Sequence, residues 1–158
     1  MKGENKKMKK IGICTLYFSN NFGAILQAFA LQETLLNMGY DVEFIKLKEF
    51  STDKNHINIE KFNDSKKHLK IAKNLYNSEL DSYDAIIVGS DEMWNLKNDS
   101  FEHLDEYFGY NFNCDKIISY APSGNGTSPT FFKEFYANKN INYDTITNIS
   151  VRDLKTKE

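Results

Sequence analysis

The chain has 158 residues, a formal net charge of −2, 41% hydrophobic residues and 14% aromatic residues. This length and apolar content suffice for one domain with a core of its own, so a disordered polypeptide is excluded. The near-neutral charge implies no broad basic surface and therefore argues against nucleic acid as a partner. Because no apolar run approaches the roughly twenty residues that cross a bilayer, no transmembrane segment is predicted.

The first predicted elements are a strand, a helix and a second strand. Residues 1–9 are lysine-rich and are predicted to be a disordered tail, because the apolar run after them breaks too early for a secretory signal. That short run, Lys10 to Leu16, favours a buried strand. Apolar residues then recur at three- and four-residue spacing from Gly23 to Met38, which predicts an amphipathic helix that Gly39 ends. Residues 41–47 alternate as a strand does, and a βαβ unit of this kind requires a parallel sheet.

The polar break between this first strand and the helix, residues 20–23, is the first candidate site. In open α/β sheets ligands bind beyond the carboxyl ends of the strands, where helix N-termini present N–H groups and a partial positive charge. Gly23 allows a tight turn or a close approach of the backbone to a ligand, and Asn20 or Asn21 can cap the helix. The pattern fits a simple turn with its cap equally well, because one glycine is a far weaker signal than a glycine-rich array.

The chain is less regular from residue 48 to residue 81. Residues 48–64 are polar and mixed in charge and are predicted to be a surface loop, and residues 65–80 are predicted to form one helix. Residues 82–89 then contain four consecutive apolar residues, most of them β-branched, before Gly89. This run predicts a strand that is buried on both faces.

The loop after that strand, residues 89–95, is the second candidate site. Ser90, Asp91 and Asn95 are hydrogen-bonding groups, and Trp94 offers a flat apolar face of the kind that sugars stack against. The alternative is that Asp91 caps a short helix and Trp94 fills a space beneath it.

A third strand and loop are predicted at residues 116–126, where two glycines again place exposed amides at the carboxyl edge. Aromatic residues between 101 and 112 are predicted to lie in the core, residues 131–136 to form a short helix, and residues 143–151 to form a last strand. Since the carboxyl ends of parallel strands meet at one edge, we expect the three loops to line a single crevice. The amides of Gly23 and Ala24 would be its anion-binding corner.

Cysteine and arginine are sparse in this chain. Cys14 and Cys114 lie far apart and match no metal or redox spacing, which favours a reducing, cytoplasmic setting and predicts no metal site. Arg152 is the only arginine, so any bidentate grip on a phosphate or carboxylate by this chain would use Arg152. No cofactor is predicted.

Four motifs together resemble the N-terminal half of the polysaccharide pyruvyl transferase family. They are Asn21-Phe22-Gly23-Ala24 with residues 26–32, Gly89-Ser90-Asp91 with Trp94-Asn95, Ser119-Tyr120-Ala121, and Ile149-Ser150-Val151-Arg152. The resemblance implies an α/β, Rossmann-like, doubly wound domain with a mainly parallel sheet, which is one half of a glycosyltransferase-B-like architecture. It also implies transfer of a pyruvyl group from phosphoenolpyruvate to a sugar hydroxyl as a ketal, during synthesis of a bacterial cell-surface glycan.

The chain departs from the family pattern in three places. Glu92 stands where the family usually has glutamine, and residues 122–126 replace the usual Ala-Ser-Phe-Gly run. After the position of Arg152 the family continues into a second Rossmann-like domain, which holds most of the residues thought to bind phosphoenolpyruvate. We therefore expect residues 10–158 to be a single N-terminal domain that lacks the second one. Such a domain would be inactive alone and would self-associate through its uncovered apolar face.

On this interpretation Asp91 is the candidate catalytic residue. The candidate substrate-binding residues lie in or beside the three loops: Asn21, Gly23, Ala24, Gln27, Gly89, Ser90, Trp94, Asn95, Ser119 and Tyr120. Two alternatives stay open. One is a sugar- or nucleotide-binding module that performs no chemistry, and the other is an enzyme remnant in which these residues serve only the fold.

Overall fold

A computed structural model describes residues 8–48, 57–99, 102–139 and 145–157. Within these ranges four short strands and a set of helices follow one another along the chain. They are β1 (Lys10–Cys14), α1 (Phe22–Asn37), β2 (Asp41–Phe44), α2 (Ile59–Lys66), β3 (Ala85–Val88), a 3₁₀ helix (Asp105–Phe108), β4 (Ile117–Ser119), α3 (Pro129–Lys139) and α4 (Leu154–Lys157).

The strands form one sheet in the order β2-β1-β3-β4, and every adjacent pair is parallel. Ile13 of β1 lies opposite Phe44 of β2 on one side and Ile87 of β3 on the other. The predicted α/β, Rossmann-like fold with a parallel sheet is confirmed. The chain passes from β1 to β2 on one side and later places β3 on the other side of β1. The strand order therefore reverses between β1 and β3.

Apolar side chains cover both faces of this sheet. On one face Ile13 belongs to the same buried cluster as Ile25 of α1. On the other face Cys14 belongs to a cluster with Tyr107 of the 3₁₀ helix and Tyr136 of α3. All four residues of β3 are buried, as its run of apolar residues predicted.

Helix α1 confirms the predicted helix, with each end shifted by one residue. Asn21 is its N-cap, and Asn21 Oδ1 accepts a hydrogen bond from Gly23 N at 2.8 Å. At the other end Gly39 has a φ of +86°, the left-handed conformation that commonly follows a helix. Gln32 of α1 is buried although it is polar, and its amide donates to His68 O at 3.0 Å and accepts from Lys70 N at 2.6 Å.

The predicted surface loop over residues 48–64 is wrong in its second part. Residues 49–56 lie outside the described residues, but α2 occupies Ile59–Lys66. The helix packs on the domain through the buried side chain of Phe62, whose ring lies 4.3 Å from that of Phe22. A single buried aromatic among polar neighbours is too weak a pattern to predict a helix from spacing.

The predicted helix over residues 65–80 is also wrong. Beyond α2 the backbone runs along the outer edge of β2, where Phe44 N donates to Lys70 O at 2.7 Å and Ala72 N donates to Phe44 O at 2.9 Å. This pairing uses backbone groups that a helix would have bonded internally. Tertiary contact with the sheet edge therefore overrides the helical pattern.

The predicted last strand, residues 143–151, is not present as a strand in the described residues. Residues 1–7 of the predicted tail lie outside the described residues, as do residues 143–144 of the predicted last strand. The rest of that segment is not a strand, since a single bridge joins Asn148 to Ile118. The short helix expected at residues 131–136 is confirmed within α3.

No helix in the described ranges is long and apolar enough to span a membrane.

Candidate functional site

The loops that follow β1 and β3 adjoin at the point where the strand order reverses. Thr15 directly follows β1, Ser90 lies just beyond β3, and Thr15 Oγ1 donates to Ser90 O at 3.2 Å. In open α/β sheets the crevice outside the carboxyl ends at such a reversal is the usual ligand site. This position defines the candidate site.

Gln27 of α1 ties these two loops together. Its Nε2 donates to Thr15 Oγ1 at 3.2 Å and to Ala24 O at 2.9 Å, and its Oε1 accepts a hydrogen bond from Ser90 Oγ. A glutamine amide has two N–H donors, and both have partners here. The first turn of α1 is thereby linked to the ends of both β1 and β3.

Asp91 has a backbone conformation that residues other than glycine rarely adopt, with a φ of +79°. Its Oδ1 accepts from Glu92 N at 2.8 Å, and its carbonyl oxygen accepts from Ser123 N at 2.8 Å. Among the described residues no other group donates to this carboxylate, so Asp91 Oδ2 is free to meet a ligand. Residues 89–99 contain no helix and Asp91 forms an isolated bridge with Pro122, so Asp91 does not cap a helix.

The loop after β4 packs against the loop after β3. Trp94 N donates to Ser123 O at 3.2 Å. Glu92 Oε2 accepts from Asn95 Nδ2 at 3.1 Å and from Asn125 Nδ2 at 3.0 Å. All three candidate loops are therefore joined along one edge of the sheet.

Two of the predicted site residues lie inside this edge, and one lies on its surface. A Cβ on Gly89 would be 2.3 Å from Tyr120 O, so only glycine fits there. Ser119 is fully buried, and its Oγ donates to Ser150 O and accepts from Ser150 N, each at 3.0 Å. Tyr120 is 52% exposed and is available to a ligand.

Trp94 is half-buried against the 3₁₀ helix. Its Nε1 donates to Tyr107 O at 2.7 Å, and its ring stacks on Phe108 with centroids 6.2 Å apart and planes 14° apart. These contacts are those of the packing alternative. A sugar could stack only on the part of the ring that stays exposed.

The beginning of α1 supplies Asn21, Gly23 and Ala24. Asn21 and Gly23 are exposed, whereas Ala24 is buried. Because Gly23 N donates to Asn21 Oδ1, an anion at this corner would compete with the cap for that amide.

Sequence reasoning missed one cation at this edge. Lys66, the last residue of α2, donates from Nζ to Phe18 O at 2.7 Å and contacts Asn20 Oδ1 at 3.4 Å. Partial burial lowers the pKa of Lys66, and no carboxylate among the described residues pairs with it. The sequence gives little sign of this lysine, because it lies in a short helix with a single buried aromatic residue.

Asp153, which lies just before α4, forms hydrogen bonds that fix the loop after β4. Asp153 Oδ2 accepts from Ser123 Oγ at 2.6 Å, and Oδ1 accepts from Thr156 N at 2.9 Å. Thr156 Oγ1 in turn accepts from Gly124 N at 2.8 Å. The bond from Ser123, followed by those from Thr156, lowers the pKa of the Asp153 carboxyl. Neighbouring Arg152 is exposed.

The described part of the chain offers neither a metal-binding cluster nor a reactive thiol at Cys14. Within it, no group of three or more histidine, cysteine or acidic side chains is arranged to hold a metal ion. Burial raises the pKa of the Cys14 thiol well above its usual value, so this thiol stays protonated and is not a nucleophile.

The fold and this edge define a Rossmann-like α/β domain with a polar site where the strand order reverses. The family model of polysaccharide pyruvyl transferase matches residues 21–158. The chain therefore belongs to the polysaccharide pyruvyl transferase family, as its four motifs indicated. No curated protein and no solved structure matches it.

Proposed function

We propose that this domain forms the acceptor-binding wall of a pyruvyl transferase and that Asp91 acts on the sugar hydroxyl. The observation that carries the proposal is the carboxylate of Asp91, which is held in a strained conformation at the strand reversal with one oxygen free. Strained residues cluster at functional sites, and they persist only where the surrounding structure holds them in place. Family membership supplies the class of reaction.

The proposed reaction joins the central carbon of phosphoenolpyruvate to two hydroxyl oxygens of one sugar. Two C–O bonds form at that carbon, its bond to the phosphate oxygen breaks, and phosphate leaves. One hydroxyl proton ends on the methylene carbon, which becomes a methyl group, and the other leaves with phosphate. A carboxylate within hydrogen-bond reach of a hydroxyl can accept its proton as a general base, and this is the role that we assign to Asp91.

Other side chains of this edge would orient the sugar. The exposed part of Trp94 would stack against the ring, and the Tyr120 hydroxyl would bond a sugar hydroxyl. Asn95 is held by Glu92 and shapes the floor of the site. The first turn of α1, with Asn21 and Gly23, borders it.

We place the donor largely on a second domain, in a glycosyltransferase-B-like arrangement. Phosphoenolpyruvate carries a phosphate and a carboxylate, and several preorganised donors must hold both. Lys66 Nζ bonds the loop after β1 and Arg152 N bonds the loop after β4, and we propose that these two cations are too few for that task. This domain alone is therefore expected to bind an acceptor and not to turn over phosphoenolpyruvate.

Two further features belong to the same proposal. The free thiols of Cys14 and Cys114 suit a reducing cytoplasm, which is where we place the reaction. Self-association is supported by α1, whose outer side exposes Phe22, Leu26 and Phe29 although its inner side is also apolar.

Calorimetric titration with a panel of pyranoses that carry neighbouring free hydroxyls tests the acceptor role, and phosphate release from phosphoenolpyruvate tests the division of labour. We expect at least one sugar to bind, Asp91→Ala to abolish that binding, and phosphate release to stay at the uncatalysed rate. Asp84→Asn is the matched control, since Asp84 precedes the opposite end of β3 and accepts from Lys10 N at 2.7 Å.

Each result has a separate meaning. Failure of every sugar to bind would contradict the acceptor role. Phosphate release that Asp91→Ala abolishes would support Asp91 and contradict our placement of the donor on a second domain. Tighter binding of a nucleotide than of any sugar would instead favour a binding module without chemistry.

A further inference from the structure

Gln27 lies at the centre of the candidate site, yet its amide has partners within the protein. Both of its N–H donors are used, by Thr15 Oγ1 and Ala24 O, and its oxygen accepts from Ser90 Oγ. A sugar hydroxyl could bond this amide only by displacing one of those groups. The side chain is therefore better placed to support the site than to bind a ligand.

We propose that Gln27 is a positioning residue, which holds the Ser90-Asp91 turn so that the Asp91 carboxylate faces the acceptor. The inference rests on the role proposed above for Asp91 and deepens it. It also moves Ser90 from the group of substrate-binding residues to the support of the turn.

The hydrogen bonds show how the constraint reaches Asp91. The Ser90 hydroxyl donates to Gln27, and the Ser90 carbonyl oxygen accepts from Thr15. The side chain and the carbonyl of Ser90 are therefore both fixed by hydrogen bonds. Asp91 follows immediately in the left-handed conformation. Such a conformation persists only where neighbouring contacts fix it, and the bonds to Ser90 are the contacts on its N-terminal side.

A second glutamine on the same helix provides a matched control. Gln32 of α1 also has its amide satisfied, by His68 O and Lys70 N, but these partners lie away from Asp91. Gln27→Met and Gln32→Met each replace a glutamine amide of α1 by an apolar side chain of similar size. Only the first removes a contact with the turn.

Amide hydrogen exchange measures the turn directly. Glu92 N and Ser123 N donate to the side chain and carbonyl of Asp91, and Ile86 N at the centre of β3 reports on the stability of the sheet. Relative to Ile86, Gln27→Met is expected to speed exchange at Glu92 and Ser123 about fivefold or more, since a hydrogen bond to the turn is lost. Gln32→Met is expected to leave these ratios unchanged.

Ser90→Ala should speed exchange at the same two amides, and the double variant should show no larger effect than Gln27→Met alone, because Gln27→Met already removes the bond to the Ser90 hydroxyl. Ser90→Ala also serves if Gln27→Met fails to fold. With a sugar that binds the wild type, Gln27→Met should weaken binding and Gln32→Met should leave it unchanged.

Two outcomes would overturn the proposal. Unchanged exchange ratios together with weaker sugar binding would mean that Gln27 contacts the ligand. Equal acceleration of all three amides would mean a purely structural role. Because the exchange arm needs no ligand, a protein that binds no sugar contradicts the proposed function and leaves this arm able to decide on the positioning role.

Discussion

Asp91 is the residue at which backbone strain and a free carboxylate coincide. Sequence reasoning identified Asp91 from its place after a buried strand, because the end of a strand is visible in the pattern of apolar residues. Its left-handed conformation was not predictable, because it depends on the bond from Ser123 N to Asp91 O and on the bonds that hold Ser90, which only the folded chain brings together. The same holds for Gln32, whose burial depends on backbone groups near residue 69.

If Asp91 is strained, two substitutions that both remove the carboxylate should differ in stability. Asp91→Gly relieves the left-handed conformation and Asp91→Ala keeps it, so the glycine variant should be more stable by about 1 kcal/mol. Urea unfolding measures the difference, and neither variant should bind sugar. Equal free energies of unfolding would show that the conformation at Asp91 carries no strain.

Gly89 is predicted to be irreplaceable on steric grounds. At a φ of +118° an added Cβ would meet Tyr120 O at 2.3 Å, so Gly89→Ala should lower the free energy of unfolding by about 3 kcal/mol or more. Gly39→Ala is the control, because at a φ of +86° its Cβ would meet nothing within 4 Å and the cost should be only about 1 kcal/mol. A similar cost for both variants in urea unfolding would contradict the close approach.

Among the elements, those defined by local signals were predictable and those defined by contact were not. Helix α1 has apolar spacing, an Asn21 cap and a terminal Gly39, and all three can be found in the sequence. Helix α2 rests on one buried aromatic, Phe62, and the segment after it follows the edge of β2 through backbone bonds that leave no pattern in side chains.

The connection between α4 and the third loop should depend on pH through Asp153. Because the folded state lowers the pKa of this carboxyl, its contribution is fully present above the ordinary value of 3.8 and is lost as the pH falls through the folded value. Exchange of the Gly124 amide, which donates to Thr156, should therefore accelerate as the pH falls below 3.8, after correction for intrinsic exchange.

Asp153→Asn should remove that pH dependence and leave the Gly124 amide poorly protected at neutral pH. Asp115→Asn, at an exposed position in the turn before β4, is the control and should behave as the wild type. A Gly124 profile that is the same in the wild type and in Asp153→Asn would show that the carboxylate does not hold the loop.

For the whole molecule, parallel strands made the convergence of the loops predictable, since their carboxyl ends must share an edge. The hydrogen bonds that join those loops could not be predicted from the sequence, because each links residues far apart in the chain. Gln27 and Ser90 are separated by 63 residues, and Glu92 and Asn125 by 33. The convergence of the loops was therefore predictable, and the bonds that join them were not.

Self-association through α1 predicts a response to one surface charge. Leu26 is 64% exposed between Phe22 and Phe29 on the outer side of the helix, so Leu26→Lys should shift the protein toward monomer in sedimentation at tens of micromolar. Leu80→Lys is the control, since Leu80 is 81% exposed and lies in a separate turn, where its N–H donates to Asn77 O. A wild-type protein that sediments as a monomer would contradict the proposal outright.

The most direct test of the central proposal is a map of where a sugar acceptor binds. In spectra of ¹⁵N-labelled protein titrated with the panel of pyranoses, we expect shifts confined to amides of residues 20–27, 89–95 and 119–126, and their loss in Asp91→Ala. Shifts clustered at the opposite edge of the sheet, near Asp41 and Asp84, or a full pattern of shifts retained in Asp91→Ala, would contradict the acceptor site proposed for this domain.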